Sequence, residues 1–166
     1  MSQADVTESI AVDAPPEVVW PLVSDPANYA RWSPEATGVR RRGGSGTWRV
    51  GDVFVGSNKA WLRWSTTCTV TAADAGRGEF AFDVDFARFA IARWSYSVTP
   101  TPDGGCVVTE SWTDRRSGVL GALIKPSGVL IGRGIDAATH NAQTRRATLA
   151  ALKAEVEAAS GGAGGR

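Results

Sequence analysis

The chain has 166 residues, with 18 Lys and Arg against 17 Asp and Glu and a formal net charge of +1. That length suits one domain with a real core, and the near balance of charge supplies no global field for nucleic acid or an anionic surface. Two cysteines in no close-spaced motif and a single histidine speak against a disulfide scaffold and a zinc site.

Met1 to Ser9 carries Asp5 and Glu8 and no apolar stretch, so it does not read as a secretory leader. The least polar long stretch, Gly118 to Gly134, is interrupted by Lys125-Pro126 and several glycines. It falls short of the ~20 apolar residues that a membrane-spanning helix needs. The expectation is a reduced, cytoplasmic protein with no stable membrane insertion and no nucleic-acid partner. Seven Trp is a high load for this length; indoles bury large apolar areas and keep one polar N–H, which favours a big core, an aromatic-lined cavity, or both.

The first element is an alternating strand, roughly Val6 to Val12. It runs into a helix opened by Pro15-Pro16, whose fixed φ and missing N–H suit a first helical turn. Pro21 then falls inside that helix, where it costs about 3 kcal/mol in a regular interior, so the helix is either very short or kinked. Asp25-Pro26 starts a second short helix that ends at Trp32, before Ser33-Pro34-Glu35.

From there the period changes to two. Strands are predicted at roughly Gly38 to Arg42, Asp52 to Ser57, Leu62 to Ala72, Glu79 to Asp85, Ala90 to Thr99 and Cys106 to Arg115, separated by glycine-rich turns such as Gly43-Gly44-Ser45-Gly46 and Pro102-Asp103-Gly104-Gly105. Short loops between such strands imply antiparallel hairpins.

Alternation assigns faces. Leu62, Trp64, Thr66, Cys68 and Val70 share one side; so do Phe80, Phe82 and Val84, then Trp94, Tyr96 and Val98, then Val108, Glu110 and Trp112. One sheet face is therefore aromatic and apolar and the other is rich in hydroxyls and charge. The only long helical pattern, roughly Ile131 to Ala159, must cover the aromatic face with a thin stripe of Ile135, Ala138, Ala142, Leu149, Leu152 and Val156, which has a gap at Arg145-Arg146. A thin stripe over a curved aromatic sheet leaves room for a cavity. Residues 1–159 read as one domain and 160–166 as a flexible Gly-rich tail.

The order strand, two short helices, six strands and a long C-terminal helix resembles the START-like, helix-grip superfamily, also called SRPBCC, and within it the bacterial polyketide cyclase/dehydrase-type group. The residues that carry the resemblance are Ala14-Pro15-Pro16-Glu17-Val18-Val19-Trp20 with Ser24-Asp25-Pro26, the Trp32-Ser33-Pro34-Glu35 corner, Arg93-Trp94-Ser95-Tyr96, and Gly104-Gly105 before Val108-Thr109-Glu110-Ser111-Trp112. His140-Asn141 with Thr148-Leu149 and Leu152-Lys153 adds to it. The resemblance implies an α+β fold, a curved antiparallel sheet of about seven strands wrapped around the C-terminal helix, with a tunnel between them for lipids, polyketides or other apolar ligands. It also implies that the two short helices and the Gly118 to Gly134 loop line the tunnel mouth, the loop either as a movable flap or as a linker packed on the core.

No nucleophile elbow, H-E-x-x-H, dinucleotide or P-loop motif is present, so no cofactor and no metal is expected. Carboxylates and hydroxyls are left as the acids and bases. Glu110 shares a face with Val108 and Trp112; there it would either carry a raised pKa, sit in an ion pair with an unidentified arginine, or be returned to solvent by a bulge. Glu35 could reach the mouth, or be a surface residue after a tight turn. His140 projects away from the apolar stripe and suits a structural hydrogen bond. Trp48 and Trp61 read as structural, and Arg40-Arg41-Arg42 as a solvated hairpin tip.

The candidate ligand-binding residues are Trp32, Glu35, Trp64, Phe80, Phe82, Trp94, Tyr96, Glu110, Trp112 and Leu149, with Glu110, Tyr96 and Glu35 as candidate catalytic groups. Three functions are compatible with them: binding of a small hydrophobic molecule, an aromatase/cyclase or dehydratase, and a protein-interaction module. Oligomeric state and ligand identity are not legible.

Overall fold

The computed structural model describes residues 6–60, 62–116 and 137–163, with side chains described at 143–160 in the last segment. Seven strands form one antiparallel sheet: β1 (Val6–Val12), β2 (Ala36–Arg42), β3 (Val53–Lys59), β4 (Arg63–Asp74), β5 (Glu79–Phe86), β6 (Phe89–Pro100) and β7 (Cys106–Asp114). Their spatial order is β1-β7-β6-β5-β4-β3-β2. Strands β2 to β7 follow each other by hairpins, and β1 closes on β7. The helices are α1 (Pro16–Val23), a 3₁₀ turn at Pro26–Asn28, α2 (Tyr29–Trp32) and α3 (Ala137–Ala163). This is the expected β-α-α-β6-α helix-grip arrangement.

Pro21 is accommodated because α1 is only 8 residues long, with Pro16 at its start and Val19 and Val23 buried. Its Cap residue Ser24 donates its hydroxyl to Trp20 O at 2.7 Å. Asp25 then organises the turn into α2: one carboxylate oxygen accepts from Ala27 N at 3.0 Å and from the Trp48 indole at 2.9 Å. Trp48 is structural, as its position at a strand end suggested. Arg41 stacks over that indole at 4.1 Å and pairs with Asp52, so it is held within the fold, and only Arg40 and Arg42 of the basic triplet are exposed.

Helix α3 buries Leu149, Leu152 and Val156 against the sheet. Polar ties hold it in place. Lys153 Nζ donates to Ala11 O at 2.8 Å, Asp13 N donates to Glu157 at 3.0 Å, and Trp32 Nε1 donates to Glu155 at 2.8 Å. The helix is assigned through Ala163, so Gly161 and Gly162, expected to begin a flexible tail, fall within it. The Gly118 to Gly134 loop, Trp61, and the side chains of Ile135, Ala138, His140, Asn141 and Ala142 lie outside the described residues.

The register arranges the concave face in rows. Val70, Phe82, Trp94 and Trp112 are successive partners across β4 to β7, and Phe80, Tyr96, Glu110 and Glu8 across β5, β6, β7 and β1. A third row, Phe54, Cys68, Val84, Ala92 and Asp114, lies beside them. Direct opposition puts each row's side chains on one face, which is how scattered aromatics become a continuous wall.

Candidate functional site

Between this wall and the helices lies a cavity of about 270 Å³. Its aromatic lining comes from Tyr29, Phe54, Trp64, Phe82, Trp94, Tyr96 and Trp112. The rings form a connected array: Tyr29 lies 5.3 Å from Tyr96 and 5.9 Å from Phe82, and Phe54 meets Phe82 edge-on at 5.3 Å, centroid to centroid. Such contacts fix ring orientations and so fix the shape of the space they enclose. The volume lies just below the roughly 300 Å³ at which small-ligand pockets usually begin.

Glu110 is the chemically distinctive lining group. It is 2% exposed. Tyr96, on the neighbouring strand and directly opposite, donates its hydroxyl to Glu110 Oε1 at 2.6 Å. The second oxygen, Oε2, is buried and has no hydrogen-bond partner among the described residues. Burial raises the Glu110 carboxyl to about 7, against the opposing effects of the Tyr96 hydrogen bond and the charge of Arg145. Burial, and then the Glu110 charge, push the Tyr96 hydroxyl well above its ordinary range, so it remains a donor.

Arg145 is fully buried, and its Nε and both terminal nitrogens have no hydrogen-bond partner among the described residues. Burial holds it below the ordinary arginine range, against the pull of Glu110, Glu8 and Tyr96. A guanidinium stays charged in a protein, so a buried cation acts on a titrating carboxyl within the core. Glu8, opposite Glu110 on β1, is engaged by Arg146 at 3.1 Å.

Sequence reasoning took Arg145 for a gap in the apolar stripe. It instead continues that stripe, since residues 145, 149, 152 and 156 recur at helical spacing and all four are buried. The signal was there: a charge at a core position of α3 and another, Glu110, at a core position of β7.

Seven of the ten expected ligand-binding residues line the cavity: Glu35, Trp64, Phe82, Trp94, Tyr96, Glu110 and Trp112. Three do not. Trp32 is buried with its indole on Glu155, committed to holding α2 on α3 rather than standing at the mouth. Phe80 is completely buried in the core, and Leu149 packs beneath the helix; Thr144 and Thr148 are the α3 residues that reach the cavity.

Among the residues that sequence reasoning missed, Tyr29 is held by its hydroxyl on Val23 O at 2.8 Å, an interaction that only the folded α1–α2 corner creates. Arg116 forms a bidentate pair with Asp114 at 2.9 and 2.7 Å, both largely buried, and contributes to the lining. No cluster of His, Cys, Asp and Glu suited to a metal occurs among the described residues. The two cysteines are buried free thiols, and burial raises Cys68 to about 11, which keeps it an unreactive thiol. No described helix is long and apolar enough to cross a membrane.

The family model for polyketide cyclase/dehydrase and lipid transport proteins matches residues 3–157. The chain belongs to that family. Its polyketide cyclase/dehydrase fold recurs in solved structures. A START superfamily protein from Mycobacterium smegmatis superposes with a TM-score of 0.66 at 16% identity, covering 92% of this chain and 97% of that one. The Zhui aromatase/cyclase from Streptomyces sp. R1128 gives 0.61 at 19% identity, covering 93% of each chain. A Polyketide_cyc-like protein, Cgl2372 from Corynebacterium glutamicum, gives 0.58 at 25% identity, covering 92% and 91%. Comparison with curated proteins finds no match. The polyketide cyclase/dehydrase membership that the sequence resembled is thereby shown, and its fold is the one shared with these structures.

Proposed function

We propose that this chain binds a small, flat, predominantly apolar molecule in the cavity between sheet and helix. The observation that carries the reading is the aromatic array itself, with rings from α2, β3, β4, β5, β6 and β7 converging on one space rather than interdigitating. Burial of apolar ligand area supplies the affinity, at about 25 cal/mol per Å² before the costs of association. Glu35, Asn58 and Arg116 give the lining a polar margin. Titration with naphthalene is expected to change the intrinsic tryptophan fluorescence saturably, with one site per chain. A linear, non-saturating response overturns the reading.

A second reading is enzymatic, and Glu110 favours it. A carboxyl near neutrality, oriented by Tyr96 and lining an apolar space, is suited to moving a proton to or from a ligand carbon or oxygen. The class of reaction it fits is enolisation of a 1,3-diketone, or dehydration of a β-hydroxy ketone in which the α-proton and the β-hydroxyl leave together as water. The aromatase/cyclase relative lends support at the level of fold alone. An aryl 1,3-diketone should then exchange its methylene protons for deuterium faster with the protein than without it. Glu110→Gln should reduce that acceleration by about 10²-fold or more, and equal exchange with and without protein removes the catalytic role.

A further inference from the structure

Two buried groups in this core, Glu110 and Arg145, carry polar atoms with no hydrogen-bond partner among the described residues. Glu110 lines the cavity, its Oε1 is occupied by Tyr96, and its Oε2 is unpartnered among the described residues. Arg145 is fully buried, and its three nitrogens have no hydrogen-bond partner among the described residues. Buried polar atoms in folded proteins are nearly always satisfied, so an orphan carboxyl oxygen at a cavity wall marks a position that a bound group completes.

The charges choose the kind of group. Among the described residues, the groups that act on Glu110 or stand opposite it are Tyr96 from β6, Glu8 from β1, Arg145 from α3 and Tyr29 from α2. Tyr96 donates to Glu110, the Tyr29 hydroxyl donates to a backbone carbonyl, and the Glu8 charge is countered by Arg146. Arg145 is thus the one cation that acts on Glu110 without its own carboxylate at bonding distance among the described residues. A fixed positive charge beside a carboxyl favours its ionised, acceptor-only form. The partner that fits an ionised Oε2 is a neutral O–H donor; a ligand carbonyl or carboxylate would meet an acceptor.

We propose that the polar end of the cavity selects ligands bearing a hydroxyl, phenolic or enolic, whose O–H donates to the ionised Glu110 Oε2, with Arg145 as the positioning charge that opposes burial and lowers the pH at which this oxygen becomes an acceptor. The inference rests on the ligand-binding reading above and narrows it to hydroxylated rings. Arg145 acts through Glu110 and does not line the cavity.

The probes are 2-naphthol, whose hydroxyl stays neutral through the range used, and naphthalene, which is matched in shape and lacks the donor. Affinity for 2-naphthol should rise about tenfold between about pH 6 and about pH 8, as the fraction of ionised Glu110 grows through about 7. Affinity for naphthalene should stay level. A 2-naphthol profile that is flat, or that falls with pH, overturns the proposal while leaving the binding reading intact. Saturable binding of neither probe overturns both.

Two variants separate position from mere stability. Glu110→Gln should abolish the rise for 2-naphthol. Arg145→Met, which removes the cation and keeps the bulk, should move the midpoint of the rise to higher pH. A retained rise in the first, or an unmoved midpoint in the second, contradicts the proposal. The two wild-type titrations decide it even where a variant fails to fold.

Discussion

Replacing Glu110 by Gln is expected to remove a pH-dependent loss of stability of about 3 kcal/mol from the folded protein. The carboxyl of the unfolded chain releases its proton near 4.5, whereas in the fold burial delays that release to about 7. Between those values the folded state binds more protons than the unfolded one. The contribution of Glu110 is therefore fully present below about 4.5 and declines as pH rises through 7. Gln cannot ionise and keeps the Tyr96 contact within reach, so the stability difference between variant and wild type should drift by about 3 kcal/mol across that window. Urea unfolding at stepped pH reads the drift directly. A constant difference would mean that Glu110 is solvated or fully paired in the native state, contrary to its 2% exposure and an oxygen unpartnered among the described residues.

The second large effect lies in the backbone. Gly78, in the turn from β4 to β5, has φ +64, and a Cβ there would meet Val98 O at 2.3 Å. The same glycine accepts a hydrogen bond from Val98 N at 2.9 Å, locking the start of β5 beside β6. Gly78→Ala must therefore either break that contact or push β6 aside. Left-handed backbone alone costs a non-glycine residue about 1–2 kcal/mol, and the steric conflict with main chain adds more, for an expected loss of at least about 3 kcal/mol. Because the Phe80–Tyr96 and Phe82–Trp94 pairs follow in register from this point, the variant should also lose binding in the cavity. A denaturation midpoint within error of wild type would refute this account of the turn.

How far the sequence was legible follows from what each pattern encodes. Period-two alternation in Phe80–Val84, Trp94–Val98 and Val108–Trp112 is a local property, and a hairpin register of opposed residues turns it into a wall without further information. Seven of the expected lining residues were reachable for that reason. Trp32, Phe80 and Leu149 share the chemistry of the lining residues and differ only in how deep their elements sit, which depends on where α3 lies on the sheet. No local pattern contains that.

Arg145 illustrates the complementary case. Read singly, an arginine in an apolar stripe looks like an interruption of the stripe. Read together with a glutamate in an apolar strand, it is half of a buried charge arrangement, and the distance along the chain from residue 110 to residue 145 is what concealed it. Tyr29 depends on the α1–α2 corner, where Asp25, Val23 O and Trp48 come together only after folding. At the Gly-rich end of α3, composition suggested a tail beginning at residue 160, and the helix is assigned to Ala163.

The functional account depends most on where a ligand sits. The tryptophans provide internal reporters, because Trp64, Trp94 and Trp112 line the cavity, whereas Trp32 and Trp48 do not, their indoles being bound to Glu155 and Asp25. A proton–nitrogen correlation spectrum of the indole N–H groups, recorded during titration with naphthalene, separates the two sets. The cavity account predicts that the Trp64, Trp94 and Trp112 signals move together and saturate at one equivalent while Trp32 and Trp48 stay still. Movement confined to Trp32 and Trp48, or no movement in any of them at saturation, would contradict it.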